Sequence, residues 1–528
     1  MKAAAVLTML HGVELSLKTR KHYILSLAVF LLSLAFYLPP ALVNEAPFWD
    51  DKAYINNALI ASGRIEPSQA RGPYAEERPP LFWWLLALLY TAGLPVETAR
   101  LISPLTVSAG VVAVFLLTSK IFKSFLTGSL TALMLVVHDY FVLTTSYILT
   151  DSLGSILAFL ALASFSLGLR YGPYMWLSGI LMSVAILARD QNLLLIPVLA
   201  LFLIWVAKTS RLLKVLALVL LGLTAYLAVS LTQEVFLQYL SDIATVVLLD
   251  RVFPVFITFV ALFATLAVYK IAEQKNLVSR RPSIEERFFD ILLAVVLCII
   301  VLYPYFLDNV RLGDEYQIAG RGVLSRPVAH SIMVRNDIAR TGLGAFERAS
   351  VWASTTPQLL TTPILALSLL GGVLVLKNRV VEARPLVIWG GVSIPYVFFF
   401  THFEYRFLAQ AVPALACLTA YSLTRLTAVN KPAGLAAACL TLVVAAFPAG
   451  AYGFLLSFST PTVLVGWQAL TGASSVSERW LSDYVEYLDE VMKQPQPTIP
   501  LPNTLAALLI IPALAFAVYL GLRKGLEH

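Results

Sequence analysis

The stretch Pro79-Pro-Leu-Phe-Trp-Trp-Leu-Leu-Ala-Leu-Leu-Tyr-Thr-Ala-Gly93 decides how the chain is threaded. If it crosses a membrane, every later segment is turned over; if it lies flat, they keep their sides. It is short and rich in tryptophan, with two prolines where a helix starts and Gly93-Leu-Pro95 where one stops, which suits an interfacial helix better than a crossing one. The chain around it is 59% hydrophobic and only 13% charged over 528 residues, with a mean hydropathy of +0.80. That composition excludes a soluble globular protein.

Outward from that stretch, apolar runs long enough to cross a core of about 30 Å lie at 22–43, 99–118, 125–145, 151–170, 173–190, 192–207, 212–231, 251–270, 288–307, 360–377, 385–401, 407–425, 433–450 and 504–522. The expected fold is an all-α polytopic bundle of about 14 transmembrane helices, with interfacial helices in a first external loop at 44–98. The run 22–43 is long enough to be a retained span rather than a cleaved signal. With 81–93 lying flat, basic residues fall on one side loop after loop: Lys120 and Lys123, Arg170, Lys208 with Arg211 and Lys214, 270–287, Lys377 with Arg379 and Arg384, Arg425 with Lys431, and Arg523-Lys524. This is the positive-inside pattern, so both termini are expected in the cytoplasm and the net charge of +7 speaks for membrane orientation, not for nucleic acid. Cys298, Cys417 and Cys439 all sit in apolar runs, so no disulfide framework is expected. Three parts are expected: a catalytic transmembrane module at 1–231, a variable transmembrane region at 232–450 with an external loop at 308–359, and an external segment with the last helix at 451–528.

The same threading sends Asp50, Asp51, Glu76, Glu77, Arg78, Asp151, Arg189, Asp190, His402, Glu404 and Arg406 to the opposite, external face. Ionisable groups beside apolar spans are costly and by default mark a functional site. Each also has a plainer reading. Asp50 and Asp51 open a short amphipathic helix stopped by Gly63, and one carboxylate there is accounted for as a cap; a second, after Phe48-Trp49, favours a catalytic base. Glu77 and Arg78, held by Pro79-Pro80, read equally as a polar turn or as ligands for a phosphate oxygen and a cation. Asp151 is commonly a cap. Arg189 commonly snorkels to headgroups, and His402-Phe-Glu-Tyr-Arg-Phe407 reads as an anchor belt. Six arginines and no lysine in 308–359 suit phosphate binding or internal ion pairs.

Taken together, Asp50-Asp-Lys-Ala-Tyr54 followed by Gly72-Pro-Tyr-Ala-Glu-Glu-Arg-Pro-Pro-Leu81 resembles the first-loop signature of GT-C glycosyltransferases of the protein O-mannosyltransferase and lipid A aminoarabinose transferase type. His138-Asp-Tyr-Phe-Val-Leu-Thr-Thr-Ser-Tyr-Ile-Leu-Thr-Asp151 is similar to the second mannosyltransferase signature, and Glu404-Tyr-Arg-Phe-Leu-Ala-Gln-Ala-Val-Pro-Ala-Leu415 to a later segment. The resemblance implies a hexosyl or pentosyl transferase using a polyprenyl phosphate sugar. Asp50 matches the catalytic aspartate, Asp51 the acidic residue after it, and Asp151 the second external aspartate. Glu77 and Arg78 match the positions before Pro-Pro. Donor phosphate binding is expected at Arg78, Arg189 and Arg406, and Asp151 with Glu77 is expected to meet either a divalent metal ion or the acceptor, which is a lipid, a lipid-linked glycan or a protein hydroxyl. The alternative is a transporter or flippase of lipid-linked sugars, which would place its ionisable residues near mid-membrane in two related halves.

Overall fold

A computed structural model describes residues 2–43, 49–70, 79–206, 360–400 and 405–446, together with Thr356 and parts of 290–302. The expected spans at 212–231, 251–270 and 504–522, and the expected external segments 308–359, apart from Thr356, and 451–503, lie outside the described residues. Within them the chain is all helix, with no strand. In chain order the α-helices are α1 (Lys2–Val43), α2 (Trp49–Ala61), α3 (Pro80–Thr91), α4 (Ala99–Phe122), α5 (Phe125–Val137), α6 (Asp139–Ser146), α7 (Asp151–Gly168), α8 (Gly172–Ala188), α9 (Leu195–Val206), α10 (Thr362–Lys377), α11 (Arg384–Phe400), α12 (Val412–Val429) and α13 (Lys431–Ala446). Four are long and apolar enough to cross a membrane: the 22–43 part of α1, α4 with the turn before it, α7 and α12. Outward side chains of these and the shorter apolar helices are bare hydrocarbon, as with Ile24, Leu369, Val429 and Leu440. Exposure of this kind is what lipid rather than water requires. This is a polytopic membrane protein.

The flat reading of 81–93 agrees with the packing. α3 starts with Pro80 in its first turn and stops at Gly93, whose φ of +82° only glycine adopts without strain. Its 12 residues rise roughly 18 Å, short of the hydrocarbon core. Moreover, Arg100 at the start of α4 donates from Nη1 to the carbonyl of Leu42 at the end of α1, at 2.7 Å. The chain therefore leaves and re-enters the bundle at one end, where the described parts of 49–98 lie.

One expected span is broken. The 125–145 run divides at His138, whose backbone is extended (φ −64°, ψ 107°) and serves both as the end of α5 and the start of α6. Asp139 then lies in the first turn of α6, where the helix dipole favours a carboxylate. The break carries the chain sideways at the same end to which α1 delivers α2.

α7 is the axis of the described bundle, and each of its 18 residues is buried. Around it polar and charged groups gather at the two ends. At one end Lys120 donates to the Tyr174 hydroxyl at 3.0 Å and sits over the rings of Tyr171 and Tyr174, Arg170 lies over Tyr171, and Asn378 reaches the Tyr421 hydroxyl at 2.8 Å. At the other end come together the start of α2, the α6–α7 junction, the α8–α9 turn and the 3-10 turn Tyr405–Gln410.

Candidate active site

Trp49, Asp50 and Asp51 open α2. Asp50 lies in the first turn, where the helix N-terminus stabilises negative charge. Asp51 is fully buried, and a buried carboxylate is costly unless positive charge or hydrogen bonds answer it. The Arg100 guanidinium lies within Coulombic reach of it. Arg100 was not legible as a site residue; the only signal is an arginine opening an apolar span.

α2 is fixed from several sides. It stops at Gly63 (φ +70°), and the next residue, Arg64, is buried and donates from Nη2 to the Tyr90 carbonyl of α3 at 3.0 Å. Burial lowers the Arg64 pKa below the usual arginine value, and the guanidinium still stays charged at neutral pH. Tyr54 packs its ring edge-on against Phe82, with centroids 5.5 Å apart, and its hydroxyl lies 3.1 Å from the Thr150 Oγ1. Thr150 is the residue before Asp151, so this contact ties α2 to the first turn of α7.

Asp151 forms an ion pair with Arg189, and the two side chains are 3% and 10% exposed. Arg189 also donates from Nε to the Gln191 Oε1 at 2.7 Å and stacks its guanidinium on the Phe407 ring at 4.9 Å from the centroid. The arginine that reads as a snorkelling group or a phosphate ligand is thus held by an acid, an amide and an aromatic face. Its residual exposure is where an anion could meet it. Asn192 braces the same turn: its Nδ2 donates to the carbonyls of Gly154 (3.0 Å) and Ala185 (2.8 Å), and its Oδ1 accepts from the Gln410 Nε2 at 3.0 Å. The Gln410 carbonyl in turn accepts from the Trp389 indole at 3.0 Å. Through Phe407 and Gln410, the turn that carries Arg406 is fastened to the turn that carries Arg189. Gln191, Asn192 and Gln410 carry no sequence signal beyond their place beside charged motifs.

Close approach at this junction depends on Gly154. A Cβ there would lie 3.0 Å from the Cβ of Arg189 and 3.3 Å from the Asn192 Nδ2. Gly154→Ala is therefore expected to push the α8–α9 turn outward, costing about 1–3 kcal/mol of stability and weakening any anion held by Arg189. Thermal unfolding of the purified variant in detergent, beside wild type, checks the first part; an unchanged midpoint would show that the turn yields freely.

Of the expected site residues, Asp51, Asp151 and Arg189 fall at one end of the bundle, and Asp50 and Arg406 are placed there by their backbone. Glu77 and Arg78 lie outside the described residues, as do Glu76, His402 and Glu404. Among the described residues no group of three or more His, Cys, Asp or Glu side chains is arranged to hold a metal ion, and Asp151 has its positive partner in Arg189. His138, also at this end, is buried with neither ring nitrogen hydrogen-bonded among the described residues. The three cysteines are free, Cys298 and Cys417 buried and Cys439 exposed.

No protein-family model matches the chain, and no curated protein matches it in sequence. Among solved structures it is similar to the Archaeoglobus fulgidus oligosaccharyltransferase in complex with Zn and sulfate, at 15% identity and a TM-score of 0.44, covering 90% of this chain and 58% of that one. It is similar to the same enzyme tethered to an acceptor peptide with the NVT sequon, at 13% identity and a TM-score of 0.42, covering 90% and 59%. A third is ArnT from Cupriavidus metallidurans bound to undecaprenyl phosphate, at 15% identity and a TM-score of 0.40, covering 96% and 76%. The chain spans just under three fifths of the length of the oligosaccharyltransferase chains it matches.

Proposed function

We propose that the protein is an inverting membrane glycosyltransferase that moves a single hexosyl or pentosyl group from a polyprenyl phosphate to a hydroxyl of a lipid, a lipid-linked glycan or a protein, at the external face. The observation that carries this reading is the convergence, at one end of an apolar bundle, of the acidic opening of α2 with the Asp151–Arg189 pair. The order of the sequence motifs supports it. In this reading the isoprenoid tail lies along the lipid-exposed helices and its phosphate sits at headgroup depth, met by Arg189, Arg406 and Arg78. The Asp50 carboxylate takes the proton from the acceptor hydroxyl as that oxygen attacks the anomeric carbon. The bond between the anomeric carbon and the phosphate oxygen breaks with its electron pair going to the phosphate. Because a phosphate monoester is a good leaving group, its departure calls for positive charge rather than a proton. A single displacement inverts the anomeric carbon. Asp51, buried within Coulombic reach of Arg100, helps hold the first turn of α2 in place.

The test is release of polyprenyl phosphate from a panel of polyprenyl phosphate hexoses and pentoses by the purified protein, with a crude lipid extract as acceptor. Release dependent on both wild-type protein and extract supports the reading. No release from any donor, together with movement of the same lipids across liposome membranes, would replace it with lipid transport.

A further inference from the structure

Thr150 stands where a helix usually takes a side-chain cap. A threonine there ordinarily accepts from an amide of the first turn, which is worth about 1 kcal/mol. Thr150 does not: its backbone is at φ −99°, ψ 2°, and its side chain makes no capping hydrogen bond to α7. Its hydroxyl instead lies 3.1 Å from that of Tyr54, 96 residues away in sequence and inside the protein. Tyr54 is three and four residues past Asp51 and Asp50, so on an α-helix it shares their face. Its ring is held against Phe82 of α3. The α7 start therefore forgoes a local cap for a contact with the helix that bears the acidic pair, and the very next residue, Asp151, holds Arg189.

We infer that the Tyr54–Thr150 hydroxyl contact is a latch that sets the spacing between the α2 carboxylates and the Asp151–Arg189 pair, making Tyr54 and Thr150 positioning residues for transfer. The inference rests on the reading of this site as a transferase site. An in-line displacement requires the base and the phosphate-binding group on opposite sides of one anomeric carbon, and misplacement by about 1 Å costs on the order of 100-fold in rate. Nothing along the chain fixes that distance, since α2 and α7 belong to segments far apart in sequence. The hydroxyl pair fixes it directly.

The experiment is steady-state release of polyprenyl phosphate by full-length protein, with amide hydrogen exchange of residues 51–61 read on the same preparations. Tyr54→Phe keeps the ring against Phe82 and Thr150→Val keeps the side-chain shape. Each is expected to lower kcat about 10- to 100-fold, with the donor KM within about two-fold, and to speed exchange in α2. The double variant is expected to lose no more than the worse single one, and Thr150→Ser, which keeps the hydroxyl, to recover most of the rate. Unchanged kcat in both single variants, or losses that multiply in the double, would overturn the latch. A wild type that releases nothing from any donor overturns the transferase reading, and the role in transfer with it; faster exchange in Tyr54→Phe would then show that the contact itself holds α2.

Discussion

Asp50→Asn is expected to abolish turnover, lowering kcat by about 10²- to 10⁴-fold, the range a positioned general base contributes, while the donor KM stays near wild type. The substitution keeps the size of the side chain and its capacity to accept a hydrogen bond from the α2 backbone, but removes the ability to take a proton. A residue that served only as a cap would keep most of its value as asparagine, which caps helices about as well as aspartate. The comparison with Asp51→Asn separates the two acids. Asp51 is buried within Coulombic reach of Arg100, so its amide should weaken the hold on the first turn of α2 and show first as a lower unfolding midpoint. Full activity in Asp50→Asn together with a dead Asp51→Asn would assign the base to Asp51.

The second large effect is expected at the Asp151–Arg189 pair. Breaking a buried ion pair from one side leaves the other charge buried without compensation, typically at 3–5 kcal/mol. Asp151→Leu and Arg189→Met are each expected to cost about that much, read as denaturant or thermal unfolding in detergent. Replacing both sides removes both charges, so the double variant should recover much of the lost stability and, on the proposed function, still release no polyprenyl phosphate, because the guanidinium proposed to meet the donor is gone. Two-sided replacement is what separates the structural role from the chemical one. A double variant that turned over normally would remove Arg189 from the reaction.

What the sequence carried plainly was local. The prolines and glycine bounding α3 and the glycine ending α2 act within a few residues, and these two helices formed where their punctuation placed them. The break at His138 was hidden because apolar residues continue on both sides, from Leu135 through Val137 and again at Phe141 and Val142, and no glycine or proline interrupts them. Arg189 looked the same as a headgroup anchor because its partners, Asp151 and Phe407, reach it only through helix packing. The braces Asn192 and Gln410 are uncharged amides in segments where charged neighbours drew the eye. Asp151 sits at a helix start, as a cap would, yet its carboxylate answers Arg189. Motif order thus named segments that the fold brings to one end, while the pairings within them belonged to the fold.

The burial of α7 on every side has a consequence for how the protein is made. Its candidate span has a mean hydropathy of 1.5, below the 2.0 and 2.1 of the spans in α1 and α4, and it carries Ser152, Ser155, Ser164 and Ser166 with Asp151 at its head. Left alone in lipid, those groups would have no water and few partners. Ser152, Ser155 and Ser166 find carbonyls within α7 and beyond it, as Ser166 does at Glu382 with 2.7 Å, and α8 follows after a short turn with the Ser178 hydroxyl on the Ala161 carbonyl at 2.8 Å. α7 and α8 are therefore suited to enter the bilayer as a hairpin, and the site at their far end is completed only when α11 and α12 arrive much later in synthesis to deliver Trp389 and Gln410. Until then the nascent chain holds Asp151 and Arg189 but lacks the brace that orients them.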